Sequence, residues 1–492
     1  MSRRRISPQR NVTRRDFLWR NACAALTATG MASAITDLRL ISAAAGAGRS
    51  TKSTAKPTAK PKPGVSHSNP DYKALICIFL FGGNDGNNVL VPTDTATYNT
   101  YSSARGVLAL PNVGNANGLL ALNPLSNDGH TYGVHPNMPH LQSLFNSGQA
   151  ALLANVGTLL APLNKMQYQS SSYAKPSQLF SHNDQQVEWQ TSIEDHASAT
   201  GWGGRSADML YSLNSNNNVS MNISLSGANM FLTGATINEY SVSQNGAISL
   251  NIPANGVGPN ELATLNGLLG GTHGNLYESA FASQMNIAIS DASTLNAAIN
   301  ATAPGNWTWT TAFPNSSLGN QLKMIARLIQ AAPTLGHSRQ VYFASTGGFD
   351  LHGTEGAYND AQGTLLADLD NCMNALYQAS VQLGVGTQVT QFTGSDFSRT
   401  LPVNSILGAD HGWGNNHIIV GGGVSGQKIY GAYPSLVVSG NDDTGTGRWI
   451  PSTSVDQYGA TLAKWFGVSP TNMASVFPYI GRFANADLGF MG

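Results

Sequence analysis

An adjacent aspartate and histidine, Asp410 and His411, sit between Gly408 and Gly412 and offer two different kinds of metal donor from one turn. Asp350 and His352 form a second pair with only Leu351 between them. That one-residue gap puts both side chains on the same side of an extended segment, so both can reach one ion. A further carboxylate, Asp85, lies in Gly82-Gly83-Asn84-Asp85-Gly86 just beyond an apolar run, and His417 follows the Asp410 turn. In chain order Asp85, Asp350, His352, Asp410, His411 and His417 supply enough oxygen and imidazole for two divalent ions roughly 4 Å apart. Paired ions of that kind act on phosphate and sulfate esters, so these residues point to a metal-dependent hydrolase.

Such donors need a frame, and the hydrophobic pattern supplies one. Residues 73–81, 150–156, 339–344, 388–392 and 417–420 read as short buried strands, while 139–145, 318–331, 355–378 and 454–465 read as helices. Strands alternating with helices predict an α/β fold, a mainly parallel sheet sandwiched by helices. Ligands in such sheets collect beyond the carboxyl ends of the strands, and Asp85, Asp350 and Asp410 all fall in loops after strands. Residues 214–313 differ in being rich in Asn, Ser, Gly and Thr, with a short strand at 219–225 and a long helix at 276–301. This stretch reads as an insertion or cap over the sheet.

The N-terminus speaks to location. Arg14 and Arg15 precede a mildly apolar stretch at 22–35 and a small-residue region around Ala45 and Ala47, the order of a twin-arginine signal peptide over 1–47. The apolar stretch is too short to span a bilayer comfortably, so the mature chain is expected in the periplasm or outside the cell without a stable span. The export machinery is then one expected partner. Residues 48–70 are rich in Lys, Pro, Ser and Thr and read as a disordered tether ahead of one large unit over 71–492. Charge is balanced at 26 basic and 26 acidic residues, which argues against a nucleic-acid or anionic-membrane binder. Only Cys77 and Cys372 lie beyond the signal, one in a strand and one in a helical pattern, so two buried thiols are expected rather than a disulfide or a cysteine metal site.

The strand then Asp85, a helix-capping Ser181, Asp350 with His352, Asp410-His411-Gly412 and the late His417 together resemble the alkaline phosphatase superfamily. Five segments look like its exported branch called domain of unknown function 1501: Phe81 to Gly86, Ser181-His182-Asn183, Gly347 to His352, Thr393 to Thr400 and Gly408 to Gly412. The resemblance implies that Asp85, Asp410 and His411 hold one metal with the nucleophile, while Asp350, His352 and His417 hold the other. Zinc is the ion expected, with manganese, calcium and magnesium as alternatives. Better-known members separate the second Asp and His by three residues, a point at which this chain departs.

Ser181 precedes a helical pattern, so its hydroxyl is either an attacking group near a positive helix end or a simple N-cap. Arg399 could grip an anionic substrate oxygen, or pair with a carboxylate such as Asp396. Arg205 is a second anion-binding candidate, and His135 is expected to cap or pack. The sulfatase modification motif is missing around Ser181, which favours phosphate over sulfate esters. The competing expectation is a non-catalytic envelope binding or scaffold protein on the same fold.

Overall fold

The computed structural model describes residues 69–126, 128–247, 258–301 and 309–492. The segment expected to be a twin-arginine signal, with Cys23, and nearly all of the expected tether lie outside the described residues. Ten strands of the described residues form one sheet: β1 (Lys73–Leu80), β2 (Ala150–Gly157), β3 (Asn222–Ser224), β4 (Tyr240–Ser243), β5 (Gly246–Ala247), β6 (Arg339–Thr346), β7 (Val389–Ser395), β8 (Asn415–Val420), β9 (Ile429–Tyr430) and β10 (Thr453–Ser454). Their order is β9-β2-β8-β7-β1-β6-β3-β4-β5, with β10 beside β2. β1 runs parallel to both β6 and β7, and β3 continues the parallel run beside β6. β8 runs antiparallel to β7 and to β2. The fold is therefore α/β with a large, mostly parallel central sheet flanked by helices.

β1 reads KALICIFL because it is covered on both faces. Successive side chains alternate between two cores. Ile76, Ile78 and Leu80 join a core shared with helices α2 (Pro139–Asn146), α5 (Leu276–Ala301), α6 (Ser317–Leu335) and α7 (Ala361–Gln382). Leu75, Cys77 and Phe79 face the other way, toward α3 (His182–Thr191), α4 (Trp202–Leu210) and α8 (Val455–Phe466). Trp189 of α3 reaches the sheet at Gly394 of β7, where an added Cβ would meet the indole at 2.4 Å, so only glycine lets this helix lie so close. Cys77 and Cys372 are buried free thiols. No helix among the described residues is long and apolar enough to cross a membrane.

Two expectations change. The stretch 214–313 lengthens the sheet by its edge, because Ile223 and Ser224 pair with Tyr342 and Phe343 of β6, and β4 pairs with β3 in turn. Its long helix α5 packs Leu295, Ala298 and Ile299 into the core shared with α6, so this part of the stretch is an edge and a face of the sheet rather than a cap. The helix expected from 355 starts at Ala361. Gly356 has φ +71°, which breaks the helical path, and Glu355 turns inward instead.

Glu355 turns inward to meet Arg105, the last residue of α1 (Thr95–Arg105). The fully buried Arg105 guanidinium donates to Asp85 Oδ2 and to Glu355 Oε1, the latter at 3.1 Å, and to the carbonyls of Thr400 and Leu401. Burial pushes the Glu355 carboxyl up, against the pull of Arg105. Removing one partner from a buried ionic group leaves uncompensated charge. Arg105→Ala is expected to lose about 3–5 kcal/mol in chemical denaturation. A loss below about 1 kcal/mol would show that the triad does not hold this side of the fold.

A second buried acid sets a pH dependence. Glu188 of α3 accepts from Gln185 Nε2 at 2.6 Å, yet burial pushes its pKa up to about 8. The folded state therefore keeps a proton that the unfolded chain releases near pH 4.5, so this residue's contribution declines as pH rises from there to about 8. Glu188→Gln, which cannot ionise, should gain on wild type by about 2–4 kcal/mol between pH 5 and pH 8. Parallel pH profiles of unfolding free energy for the two proteins would refute the assignment.

Candidate metal centre

The loops after three adjacent parallel strands, β7, β1 and β6, meet at one end of the sheet. Because β8 is antiparallel, the turn before it, which carries Asp410 and His411, arrives at that same end. This turn is zipped to the loop after β7: Arg399 and His411 form an isolated bridge, Gly412 N donates to Ser398 O at 2.7 Å, and Thr400 N donates to Asp410 O at 2.9 Å. Ala409 N donates to Leu351 O at 3.1 Å, bringing in the loop after β6. At Gly83 in the loop after β1, an added Cβ would meet the Phe397 ring at 2.5 Å. Gly82, Gly408 and Gly412 likewise leave no room for a Cβ against Asp350, His352 and Arg399, so glycines permit the tightest of these contacts.

One carboxylate oxygen lies at the focus. Asp350 Oδ1 is 3.0 Å from His352 Nε2, 3.4 Å from His182 Nε2 and 3.6 Å from His411 Nε2. His352 Nε2 and His411 Nε2 are 2.8 Å apart. Each ring is anchored through its other nitrogen. His182 Nδ1 lies 2.6 Å from Asp396 Oδ2, His411 Nδ1 lies 2.6 Å from the carbonyl of Phe180, and His352 Nδ1 lies 3.4 Å from Asp410 Oδ1. A neutral imidazole that donates from Nδ1 carries its lone pair on Nε2, so three lone pairs converge beside a carboxylate. His182 Nε2 is buried without a hydrogen-bond partner, and two lone pairs cannot bond to each other across 2.8 Å. The donor set suits a divalent cation of the zinc class, and the acceptor behind each histidine already fixes its ring.

The electrostatics agree with the geometry. Burial would raise the Asp350 carboxyl, but the bond from Arg399 outweighs it and holds the group below the usual carboxylate range. Asp410 is likewise held low, burial being outweighed by bonds from Asn404 and His352. Burial lowers His411 below its ordinary value despite the Phe180 carbonyl. His182 is raised, chiefly by its bond to Asp396.

The six donors read from the sequence divide. Asp350, His352, Asp410 and His411 are brought together. Asp85 and His417 are not. Asp85 is paired with Arg105 and caps Asn87 N at 2.9 Å, so its oxygens are spent inside the protein. His417 lies within β8 opposite Leu153 and stacks on Tyr458 in the core, where burial lowers its pKa to about 3. Among the described residues, the two-ion arrangement of six donors is therefore not assembled. His182, read from the sequence only as a neighbour of Ser181, takes a place in the cluster; its signal was its position at the first turn of a helix beside the other family segments.

The other predicted residues also find places. Arg399 is buried and spends its donors on Gly82 O, Gly83 O, Phe349 O, Ala409 O and Asp350 Oδ1, the last at 2.6 Å. It holds loops and is not free to grip a substrate, and the carboxylate it pairs with is Asp350 rather than Asp396. Arg205 is similarly spent on the carbonyls of Val476, Thr200 and Thr191. His135 packs, with Nε2 on Ala357 O and Nδ1 accepting from Asn137 N. Ser181 occupies the N-cap position of α3, but its hydroxyl does not cap the helix; it donates to Asp184 Oδ2 at 2.6 Å.

The histidine and carboxylate cluster thus lies beyond the carboxyl ends of the parallel strands, the edge where open α/β sheets commonly bind ligands. Residues 72–446 match the family described as Protein of unknown function (DUF1501), and the chain belongs to that family. No curated protein matches it. Similar solved structures include Ps i-CgsB in complex with k-i-k-neocarrahexaose, at 10% identity and a TM-score of 0.33, covering 84% of this chain and 77% of that one. Ps i-CgsB alone gives a TM-score of 0.32 at the same identity and coverage. Likeness at that level carries no functional argument.

If the cluster holds an ion, His182→Ala removes a donor and Asp396→Asn replaces the carboxylate behind it with a neutral amide, a weaker acceptor. Zinc affinity in a chelator competition should fall by about 10- to 100-fold for Asp396→Asn, and further for His182→Ala. Unchanged affinity in both variants would put the ion elsewhere.

Proposed function

We propose that this protein is an exported hydrolase of phosphate or sulfate esters that works with one zinc-class ion held by His182, Asp350, His352 and His411. The observation that carries the reading is the convergence of three Nε2 atoms on Asp350 Oδ1, each ring anchored behind by an acceptor. Asp85 and His417 are engaged elsewhere, which supports one ion over two. The parallel sheet with donors beyond its strand ends supports a place for the family in the alkaline phosphatase superfamily. Export rests on Arg14, Arg15 and the stretch that follows them.

An ion in this cluster would supply Lewis acidity toward an ester oxygen and offset charge on the reacting group. The chain supplies the rest. Ser181 is bracketed by two residues of the centre, Phe180 through its carbonyl on His411 and His182 through its ring. Its hydroxyl proton already points to Asp184, so in our reading Ser181 Oγ attacks phosphorus or sulfur, Asp184 takes the proton, and the ester oxygen leaves as an alkoxide that takes its proton from water. Water then releases the group from Ser181. The segment Ser181-His182-Asn183-Asp184 lacks the sulfatase modification motif, which supports phosphate esters first.

Ser181→Ala is the decisive variant. Zinc content and melting temperature should stay near wild type, while turnover of p-nitrophenyl phosphate falls by about 1,000-fold or more. Near-normal turnover would reject Ser181 as the attacking group. Zinc uptake by wild type with no turnover of either phosphate or sulfate esters would point to a narrow substrate, and no metal uptake at all would favour the binding-protein reading.

A further inference from the structure

We propose that Arg448 is the oxyanion-binding residue of this centre, presenting its two terminal nitrogens to a tetrahedral phosphate or sulfate group; the inference rests on the reading of the cluster as an ester-processing site. The need for such a residue is plain from charge. Asp350 and Asp410 both lie against the clustered histidines, and the positive charge of Arg399 is spent on Asp350 and four carbonyls. Arg105 is likewise spent on Asp85 and Glu355. An anionic group approaching the cluster meets these acidic side chains, so a cation that is not already paired would assist the ion in holding it.

Arg448 answers that description. Its Nε donates to the His411 carbonyl at 2.7 Å, and its Cζ lies 4.3 Å from the centroid of the Phe180 ring. Both anchors belong to the centre, since the Phe180 carbonyl holds His411 Nδ1 and His411 Nε2 joins the cluster. Among the described residues Nη1 and Nη2 make no hydrogen bond or ion pair, the charge acts on Asp410 only from a distance, and the side chain is only partly buried. The backbone beneath it is built rather than loose: fully buried Asp443 accepts from Ser439 N at 2.7 Å and from Gly447 N and Arg448 N at 2.8 Å each. A guanidinium fixed through Nε and stacked on an aromatic face has its planar fork pre-oriented for two oxygens of one oxyanion. A lysine there would bring charge without the fork.

The probes are inorganic phosphate and inorganic sulfate, titrated calorimetrically into the zinc-loaded mature chain. Arg448→Ala should keep its zinc and bind the favoured oxyanion about 10- to 100-fold more weakly than wild type, with KM for an ester rising in step. Arg448→Lys should recover only part of that loss. Arg448→Gln, which can still donate to the His411 carbonyl, serves if the alanine variant does not fold, and should lose the oxyanion to the same extent. Wild-type oxyanion affinity in a zinc-loaded Arg448→Ala or Arg448→Gln protein overturns the proposal. A wild type that takes no zinc but loses phosphate binding on Arg448→Ala would sink the metal reading and support the oxyanion site, whereas a wild type that binds neither overturns both.

Discussion

The site depends on one buried guanidinium. Arg399 is 1% exposed, and a charge in that position is tolerable only if it is paired and fully hydrogen-bonded. It meets the condition by donating to carbonyls from three separate segments, at Gly82 and Gly83, at Phe349 and at Ala409, and to the carboxylate of Asp350. Phe349, Phe397 and Ala409 of these loops are buried, yet burial alone leaves their carbonyls without partners. Their carbonyls need donors, and one planar fork serves several at once. The carboxylate at the focus of the three imidazoles is thereby fixed by the same group that fixes the loops.

The remaining tolerance is taken up by polar partners one step further out. Asp396 receives His182 Nδ1, Gln186 Nε2 and the Gly82 amide, so the loop after β1, the loop after β7 and helix α3 share one carboxylate. Asn404 ties the His352 carbonyl to Asp410. Three of the clustered side chains, Asp350, His352 and His411, ride on segments joined to one another by backbone bonds. His182 alone comes from a helix that packs across the opposite core, held there by Trp189 against Gly394.

Much of the frame was legible in the sequence because it rests on local pattern. A strand buried on both faces leaves a continuous apolar run, as in 73–80, and the spacing of Asp350 and His352 dictates that they share a side. What escaped is non-local. Nothing near Asp85 announces that Arg105, at the far end of the next helix, will neutralise it, and an aspartate in a glycine-rich turn looks the same with or without that partner. His417 could be placed only by knowing the register of β8, which sets it inside the sheet rather than at its rim. His182 stood beside a serine that attracted the chemical reading, and Arg448 lies just past the segment that the family match covers. The sheet-edge pairing of 222–224 likewise depends on β6, more than a hundred residues later.

Phe180 has φ +74°, a region that glycine enters freely and a bulky residue enters at a cost of about 1–2 kcal/mol. The chain nonetheless keeps an aromatic ring there, beneath Arg448, while the carbonyl of the same residue steadies His411. Backbone comfort and side-chain duty pull in opposite directions at this position. The residue that would best suit the turn is the one that would strip it of its ring, so the most stable version of this loop and the most useful one are different sequences.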